Sequence, residues 1–501
     1  MMIPKLKPIK TMTTEKTARL LGVATLSMLA FSGCTNEEKT TAPPTTAVVL
    51  QNHSATPAFV KKLAGFESLE VFSLIGSDDK LAESPNYVFT GSADGAGLLK
   101  NADGTFTMLV NHEDNFAVSR VTLDKTFKPV KGEYLLNSTG GIWRLCSATM
   151  ATPEEHGFGP TFLTCGESGE ESRTHALNPT EANPSASSSK EVAGLGRSNA
   201  ENAMPLNKNA YAGKTVIIIG DDDSSPNGGQ VLMYVGNTVG DLQNGSLYML
   251  RRKDLNQREL DINVGAAIDV EFVKIDNHTT LKGSEINARV DVLKGIKFGR
   301  VEDLDYRKGS AANNREVYFN VTGQAGNADR SKYGRVYKLN LDAADPLKGK
   351  LELVLNGDDR TGIAKEFQNV DNIYVGENYL YTQEDPNSYG DETHDAYIYQ
   401  YNLGSKEFKK VVELDHRRTA ADKEKYNRNT AGTTYVESRF GAWEYGAMID
   451  ISKETGIVNT FAICIQPHSW RGDAYKGKDG GTIRPDENQA SQIIIIKGLP
   501  K

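Results

Sequence analysis

The sequence predicts an all-β chain made of one repeated unit, and three observations carry that expectation. Short apolar runs recur along the body, each bounded by Gly, Asn, Asp or Pro, as strands separated by turns are. From residue 59 to 498 no segment shows the sustained 3.6-residue periodicity of an amphipathic helix. No shift in composition divides the body in mid-chain, which argues against its alternative, a pair of β-sandwich domains. A β-propeller is the natural candidate. At roughly 40–50 residues and four strands per blade, a body of roughly 440 residues allows six to eight blades, and long loops favour the lower count.

In chain order, residues 1–33 read as a processing signal. Lys5, Lys7, Lys10, Lys16 and Arg19 form a basic region with the single acid Glu15, and an apolar stretch follows over 20–31. It ends in Phe31-Ser32-Gly33-Cys34. Small residues before a cysteine point to a bacterial lipoprotein, with Cys34 lipidated and the outer membrane as its place, on the periplasmic or surface side. Phe31 stands where leucine is commoner, and an ordinary signal peptide or an uncleaved anchor is the alternative. Residues 34–57, rich in Thr, Pro, Ala and Glu, read as a solvated tether. The body is 58–501.

Within the body the strand candidates are 88–89, 106–110, 161–163, 215–219, 230–235, 245–250, 316–321, 334–339, 350–355, 378–382, 396–401, 447–451, 459–465 and 491–497. Two stretches lack strand signal. Residues 168–206 read as a long excursion over one face, and 415–437 as a charged helical or irregular insertion. The 501-residue chain carries a net charge of −8, and removing the basic leader leaves −12. Such a surface collects cations and does not bind nucleic acid non-specifically.

Acids and amides gather in packets at strand ends. They are 111–115, 164–171, 220–223, 302–305, 369–372, 383–387 and 443–446. Each packet alone reads as a turn. Their repetition suits Ca²⁺, which takes six to eight oxygen ligands, because propeller loops converge on one axial face. Cys165 follows an apolar run, with Glu167 two residues on. It reads either as a buried core thiol or as a soft ligand for a transition metal. Cys146 and Cys464 read as core residues or a disulfide pair. His112 and His468 fall in or near packets, whereas His53, His156, His175, His278, His394 and His416 read as surface residues. No helical zinc motif, phosphate-binding lysine loop or nucleophile elbow is present.

In their order the packets resemble the PhoX-type alkaline phosphatases, a bacterial family of six-bladed propellers. The matching pieces are Leu109-Val110-Asn111-His112-Glu113, Phe162-Leu163-Thr164-Cys165-Gly166-Glu167, Gly220-Asp221-Asp222, Arg300-Val301-Glu302-Asp303, Val370-Asp371-Asn372, Glu444 and Ile465-Gln466-Pro467-His468. The resemblance covers about residues 65 to 500. It implies a single six-bladed propeller with long loop insertions that hydrolyses a small phosphate monoester. It also implies two Fe³⁺, three Ca²⁺ and a bridging oxo group, with attack by a metal-bound oxo or hydroxo group. Cys165, Glu302 and Glu444 would be iron ligands. Glu113, Glu167, Asp303, Asp371, Asn372, Glu384 and Asp385 would hold calcium or support its ligands, and Glu201 would join them. Arg439, with Arg144 beside it as a candidate, would bind the phosphate. A monomer is expected.

The sequence departs from the family at three places. Gly166 replaces a glutamate, Ala442 stands where an arginine is expected, and the leader has no twin arginine. The last departure implies unfolded export, with metals acquired outside the cytoplasm. Two other readings stay open. One is a calcium-stabilised surface propeller that binds a ligand without catalysis. The other is a different hydrolase on the same scaffold, a phytase, phosphodiesterase or esterase-like enzyme.

Overall fold

The computed structural model describes residues 47–428 and 435–501. Cys34, the leader and most of the tether lie outside them. The described residues fold as consecutive antiparallel meanders, because short strands apolar on both faces must be covered on both faces. Strands β1 (Val60–Lys62) and β2 (Glu70–Gly76) come first and join sheets made much later in the chain. Then β3 (Ala93–Lys100), β4 (Phe106–His112), β5 (Ala117–Leu123) and β6 (Pro129–Leu136) form one sheet. Next, β7 (Leu145–Ala151), β8 (Thr161–Gly166) and β9 (His175–Leu177) form a three-stranded sheet.

Two further meanders follow. The first is β10 (Ala200–Pro205), β11 (Val216–Asp221), β12 (Gln230–Val235), β13 (Ser246–Arg252) and β14 (Ile268–Ile275). The second is β15 (Val301–Tyr306), β16 (Glu316–Val321), β17 (Arg335–Leu341) and β18 (Lys348–Asn356). Their outer strands pair, with Ile268 of β14 opposite Leu351 of β18, so the two make a single nine-stranded sheet. Strands β19 (Val370–Val375), β20 (Tyr379–Glu384), β21 (Tyr397–Asn402) and β22 (Phe408–Leu414) follow, with β1 on their outer edge. The last sheet is β23 (Glu444–Asp450), β24 (Thr460–Gln466) and β25 (Gln492–Lys497), completed by β2. The chain therefore ends by pairing with a strand from its beginning, which ties the arrangement shut.

The first strands of the meanders contact one another in order, β3, β7, β10, β15, β19 and β23, and β23 returns to β3. The arrangement is all-β and propeller-like. Apolar clusters fill the gaps between neighbouring meanders. One packs Leu109 and Leu136 against Leu145 and Phe162, and another packs Phe298, Phe319 and Tyr337 in edge-on and stacked rings. Each fully buried side chain of this size stabilises by about 1.5–3 kcal/mol.

Several expectations change. Among the described residues the sheets number five, not six, because β14 and β18 pair. Residues 88–89 are not a strand, while 168–206 contains β9 and β10. Within 415–437 the described residues form only a short helix, Lys423–Tyr426, and 429–434 lie outside the described set. Residues 47–57, read as the end of the tether, run along the body, with Val49 donating to Thr126 O and His53 to Ser73 O. His156, His175, His278, His394 and His416 are buried, not on the surface. Cys146, Cys165 and Cys464 are all free thiols, so Cys146 and Cys464 do not form a disulfide. Among the described residues no helix is long and apolar enough to cross a membrane.

One irregularity repeats in every inner strand. Ala93 pairs with His112 but Ala96 with Val110, so one extra residue sits between them. The same step occurs between Leu145 and Ala148, Ala200 and Ala203, Val301 and Leu304, Val370 and Ile373, and Tyr445 and Met448. These are β-bulges, which re-aim the side chains they carry and leave backbone groups unpaired. At three of these bulges the neighbouring second strand supplies side-chain donors for those groups. Asn111 Nδ2 donates to Cys146 O, Asn320 Nδ2 to Asp371 O at 2.6 Å and Asn372 O at 3.0 Å, and Gln383 Nε2 to Gly446 O at 2.6 Å. In β11 the matching residue is Gly220, where an added Cβ would meet Glu302 O at 2.3 Å.

Asn320→Ala removes donors from two buried bulge carbonyls at once. It is expected to destabilise the fold by about 1–3 kcal/mol, read as a lower calorimetric Tm. An unchanged Tm contradicts the supporting role given to this side chain.

Candidate metal centre

The bulges place one side chain from each of five inner strands at the axis: Asp94, Cys146, Glu201, Glu302 and Asp371. In the sixth inner strand the matching residue is Gly446, packed against the Asp94 backbone, and Glu444 two residues earlier supplies the acid. The segments just after the second strands add Glu113, Glu167 and Asp385. Together they line a cavity of about 310 Å³.

Three groups of ligand atoms lie within 4.8 Å of one another: Asp94 with Cys146 and Glu201, Glu113 with Cys146 and Glu167, and Glu201 with Glu302 and Asp371. Cys146 belongs to two of these groups and so does Glu201, so the three form a continuous row. Asp94 Oδ1 and Asp371 Oδ1 are buried with no hydrogen-bond partner.

Burial, and then mutual repulsion, hold Asp94, Glu167, Glu302, Asp371 and Glu444 well above the ordinary carboxylate range. Burial pushes Glu201 up to about 8. The Cys146 thiol is likewise raised, first by burial and then by Glu113 and Glu167. Two like charges 4 Å apart repel by about 4 kcal/mol at an effective dielectric constant of ~20. A row of this kind is neutral by protonation or ionised around cations. Carboxylate oxygens suit Ca²⁺, and one shared thiolate suits a transition metal such as iron, so the donor set fits both.

Cations stand at the rim. Arg144 Nη1 lies 3.0 Å from Glu113 Oε1 and Nη2 3.1 Å from Asp114 Oδ1, with its side chain 43% exposed. Arg300 donates to both oxygens of Asp222, at 2.6 and 2.9 Å, and to Asn387 Oδ1 at 2.6 Å. Its Nη2 lies 3.2 Å from Glu302. His468 Nδ1 meets Gln489 Oε1 at 2.6 Å, which turns Nε2 toward Glu444 at 3.5 Å. Arg439 lines the same cavity, but its guanidinium is held by Phe440 O and Ser388 Oγ.

Of the residues singled out in the sequence, the cavity gathers Glu113, Glu167, Glu201, Glu302, Asp371, Asp385 and Glu444, with Arg144 and Arg439 at its edge. Four others lie elsewhere. Cys165 is fully buried in an apolar cluster, its Sγ 3.4 Å from Thr174 Oγ1. It occupies the β8 position that corresponds to Asn111 in β4, behind the next bulge, so the thiol at the cavity is Cys146 instead. Asp303 accepts from Asn202 Nδ2, Leu304 N and Ile373 N and lines a separate cavity. Asn372 Nδ2 donates to Ser147 Oγ, which in turn donates to Glu201 Oε1 at 2.7 Å, so it supports a ligand from behind. Glu384 accepts from Gln368 N, Tyr397 N and Tyr399 Oη, and those bonds fix a loop.

The departure at Gly166 also changes meaning. A Cβ there would meet Trp143 at 2.9 Å, away from the cavity, and the carboxylate that reaches the cavity is Glu167. Asp94, Cys146 and Arg300 were missed as site residues. Aligning the six inner strands on their bulges is the signal that would have found Asp94 and Cys146.

No protein-family model and no curated protein matches the chain. Among solved structures, Pseudomonas fluorescens PhoX, in complex with vanadate, a transition state analogue, aligns with a TM-score of 0.58. That alignment covers 89% of this chain and 98% of the other at 13% identity, a likeness of fold. An α-L-arabinofuranosidase from Fusarium graminearum aligns at a TM-score of 0.36 and 12% identity, over 84% of this chain and 97% of that one. The polysaccharide lyase Uly1 aligns at 0.32 and 9% identity, over 83% and 92%.

Metal-free protein should show the burial and crowding of these acids as pH-dependent stability. Glu201 is raised from 4.5 to about 8 and Asp303 from 3.8 to about 7. Between those values the folded state holds more protons than the unfolded state, so stability falls as pH rises. Chelated protein is expected to melt ~5 °C or more lower at pH 8.5 than at pH 5.5, and added Ca²⁺ should remove most of that difference. A flat profile contradicts the crowding.

Proposed function

We propose that this chain is a metal-dependent phosphatase that hydrolyses phosphate monoesters outside the cytoplasm, lipid-anchored through Cys34. The observation that carries the reading is the axial row of carboxylates sharing one thiol, with arginines at its rim. The fold likeness to PhoX supports it, because that protein was solved with vanadate, a transition state analogue. We read the meanders as six blades, two of them joined at their outer strands.

Cys146, Glu113 and Glu167 would hold a transition metal such as iron. Asp94, Glu201, Glu302 and Asp371, with Asp385 and Glu444 nearby, would hold calcium. When bound, such ions supply Lewis-acid neutralisation of the phosphoryl oxygens. The chain's own residues do the rest. Arg144 is held by Glu113 and Asp114, so its half-exposed fork faces the cavity in a fixed orientation and can bind two phosphoryl oxygens. Arg300, locked on Asp222, adds fixed positive charge at the cavity wall. Through the bond at Nδ1, His468 presents Nε2 beside Glu444, where that pair can hold a proton of the attacking water. Water supplies the oxygen of the new P–O bond, the P–O bond to the alcohol breaks, and one water proton leaves with the alcohol. Ala442 lines the cavity without a charge, and Arg144 and Arg300 provide the phosphate contact expected from that position.

The test is p-nitrophenyl phosphate turnover with Ca²⁺ and iron supplied, before and after chelation. Chelation is expected to abolish turnover, and Arg144→Ala to lower kcat/KM by about 10- to 100-fold. Turnover that survives complete metal removal overturns the reading.

A further inference from the structure

A second cavity of about 610 Å³ opens directly onto the first and shares Arg144, Glu167, Arg300 and Asn387 with it. We propose that it is the leaving-group subsite, and that it selects monophosphate esters of uncharged, polyhydroxylated alcohols, such as hexose phosphates, over polyanionic substrates. The proposal rests on the phosphatase reading, which fixes where the phosphate sits.

Two aromatic rings form part of the cavity wall, and both are held in place. Phe116 adopts a φ of 54°, rare for a bulky residue. It is kept there by its N–H donating to Glu113 O at 3.0 Å and by close approach of its carbonyl to Gly141. Arg484 sits over its ring at 5.1 Å. Tyr389 is pinned by its hydroxyl, which accepts from Ala325 N at 3.1 Å and donates to Gly323 O at 3.2 Å. Rigid aromatic faces suit the C–H faces of a sugar ring.

The remaining lining is mostly polar and, among the described residues, carries no lysine. Ser224 offers a hydroxyl. The neutral amides of Gln324, held by Ser224 O and Arg330, and of Asn199, held by Gly169 N and Asp222 O, line the wall in fixed orientation, and Asp223, bonded by Asn287 Nδ2 at 2.7 Å, is an acid. Both arginines stand at the inner boundary, already engaged with Asp222, Glu113 and Asp114. One phosphate therefore meets positive charge at the inner end. A second phosphate farther out would meet Asp223, and Arg484, over the Phe116 ring, is paired with Glu487 at 2.8 Å. Hydroxyl groups carry no such penalty.

The experiment compares kcat/KM of the metal-loaded enzyme for glucose 6-phosphate, methyl phosphate, phytate and ATP. Methyl phosphate reads the chemistry alone, because its leaving group does not reach the second cavity. Glucose 6-phosphate is expected to exceed methyl phosphate, phytate and ATP by about tenfold or more. Tyr389→Ala and Gln324→Ala are expected to lower the glucose 6-phosphate value by about 3- to 10-fold, leaving methyl phosphate within about twofold. Asp223→Asn should raise phytate relative to glucose 6-phosphate, and it decides the matter if Tyr389→Ala loses all activity. Equal values for methyl phosphate and glucose 6-phosphate, or a preference for phytate or ATP, overturn the proposal and leave the phosphatase reading standing. No turnover of any ester overturns the phosphatase reading, and this proposal with it.

Discussion

Like charges forced together at the axis are the constraint on which this structure depends. Asp94, Glu201, Glu302 and Asp371 come from four separate inner strands, and Glu113, Glu167 and Glu444 close in around them. Each is held above its ordinary range by burial and by its neighbours. An apolar ring of inner strands would fold more easily. A buried acidic ring persists only where something compensates it, and cations are the compensation its geometry suits.

The scaffold is built to hold that ring open. A bulge turns each inner strand so that a residue that would pair instead faces the axis. The bulge exposes carbonyls, and the second strand of the preceding meander covers them through Asn111, Asn320 and Gln383 or through the bare backbone of Gly220. Ser147 and Asn372 brace Glu201 from the far side. Closure of β25 on β2 then keeps the ring from spreading. Site and fold are therefore one network, in which a change to a supporting amide is felt at a ligand.

Much of the fold was legible because outer strands obey simple rules. Runs such as 215–219 and 491–497 are apolar, short and bounded by turns, and they are strands. The inner strands were harder to see. Ala93–Lys100, Ala200–Pro205 and Val301–Tyr306 carry acids, glycines and small residues because they line the axis, so they read as loops. The packets 302–305 and 369–372 thus lie largely within strands, not after them. Glu302, Asp371 and Glu444 were found because clustered acids are conspicuous. Cys165 was preferred over Cys146 because it stands beside a carboxylate in sequence, yet Cys146 stands beside four in space. Spatial proximity across strands is invisible to local spacing, and only the register of the bulges reveals it.

The central claim is that Cys146 and the axial carboxylates hold metal ions. Elemental analysis of the purified, folded protein, with its Cys146→Ser and Cys165→Ser variants, tests this most directly. The account predicts calcium and a transition metal bound in the parent chain, loss of the transition metal in Cys146→Ser, and an unchanged content in Cys165→Ser. A parent chain that holds no metal after equilibration with Ca²⁺ and iron, or a transition metal lost in Cys165→Ser and kept in Cys146→Ser, would contradict it.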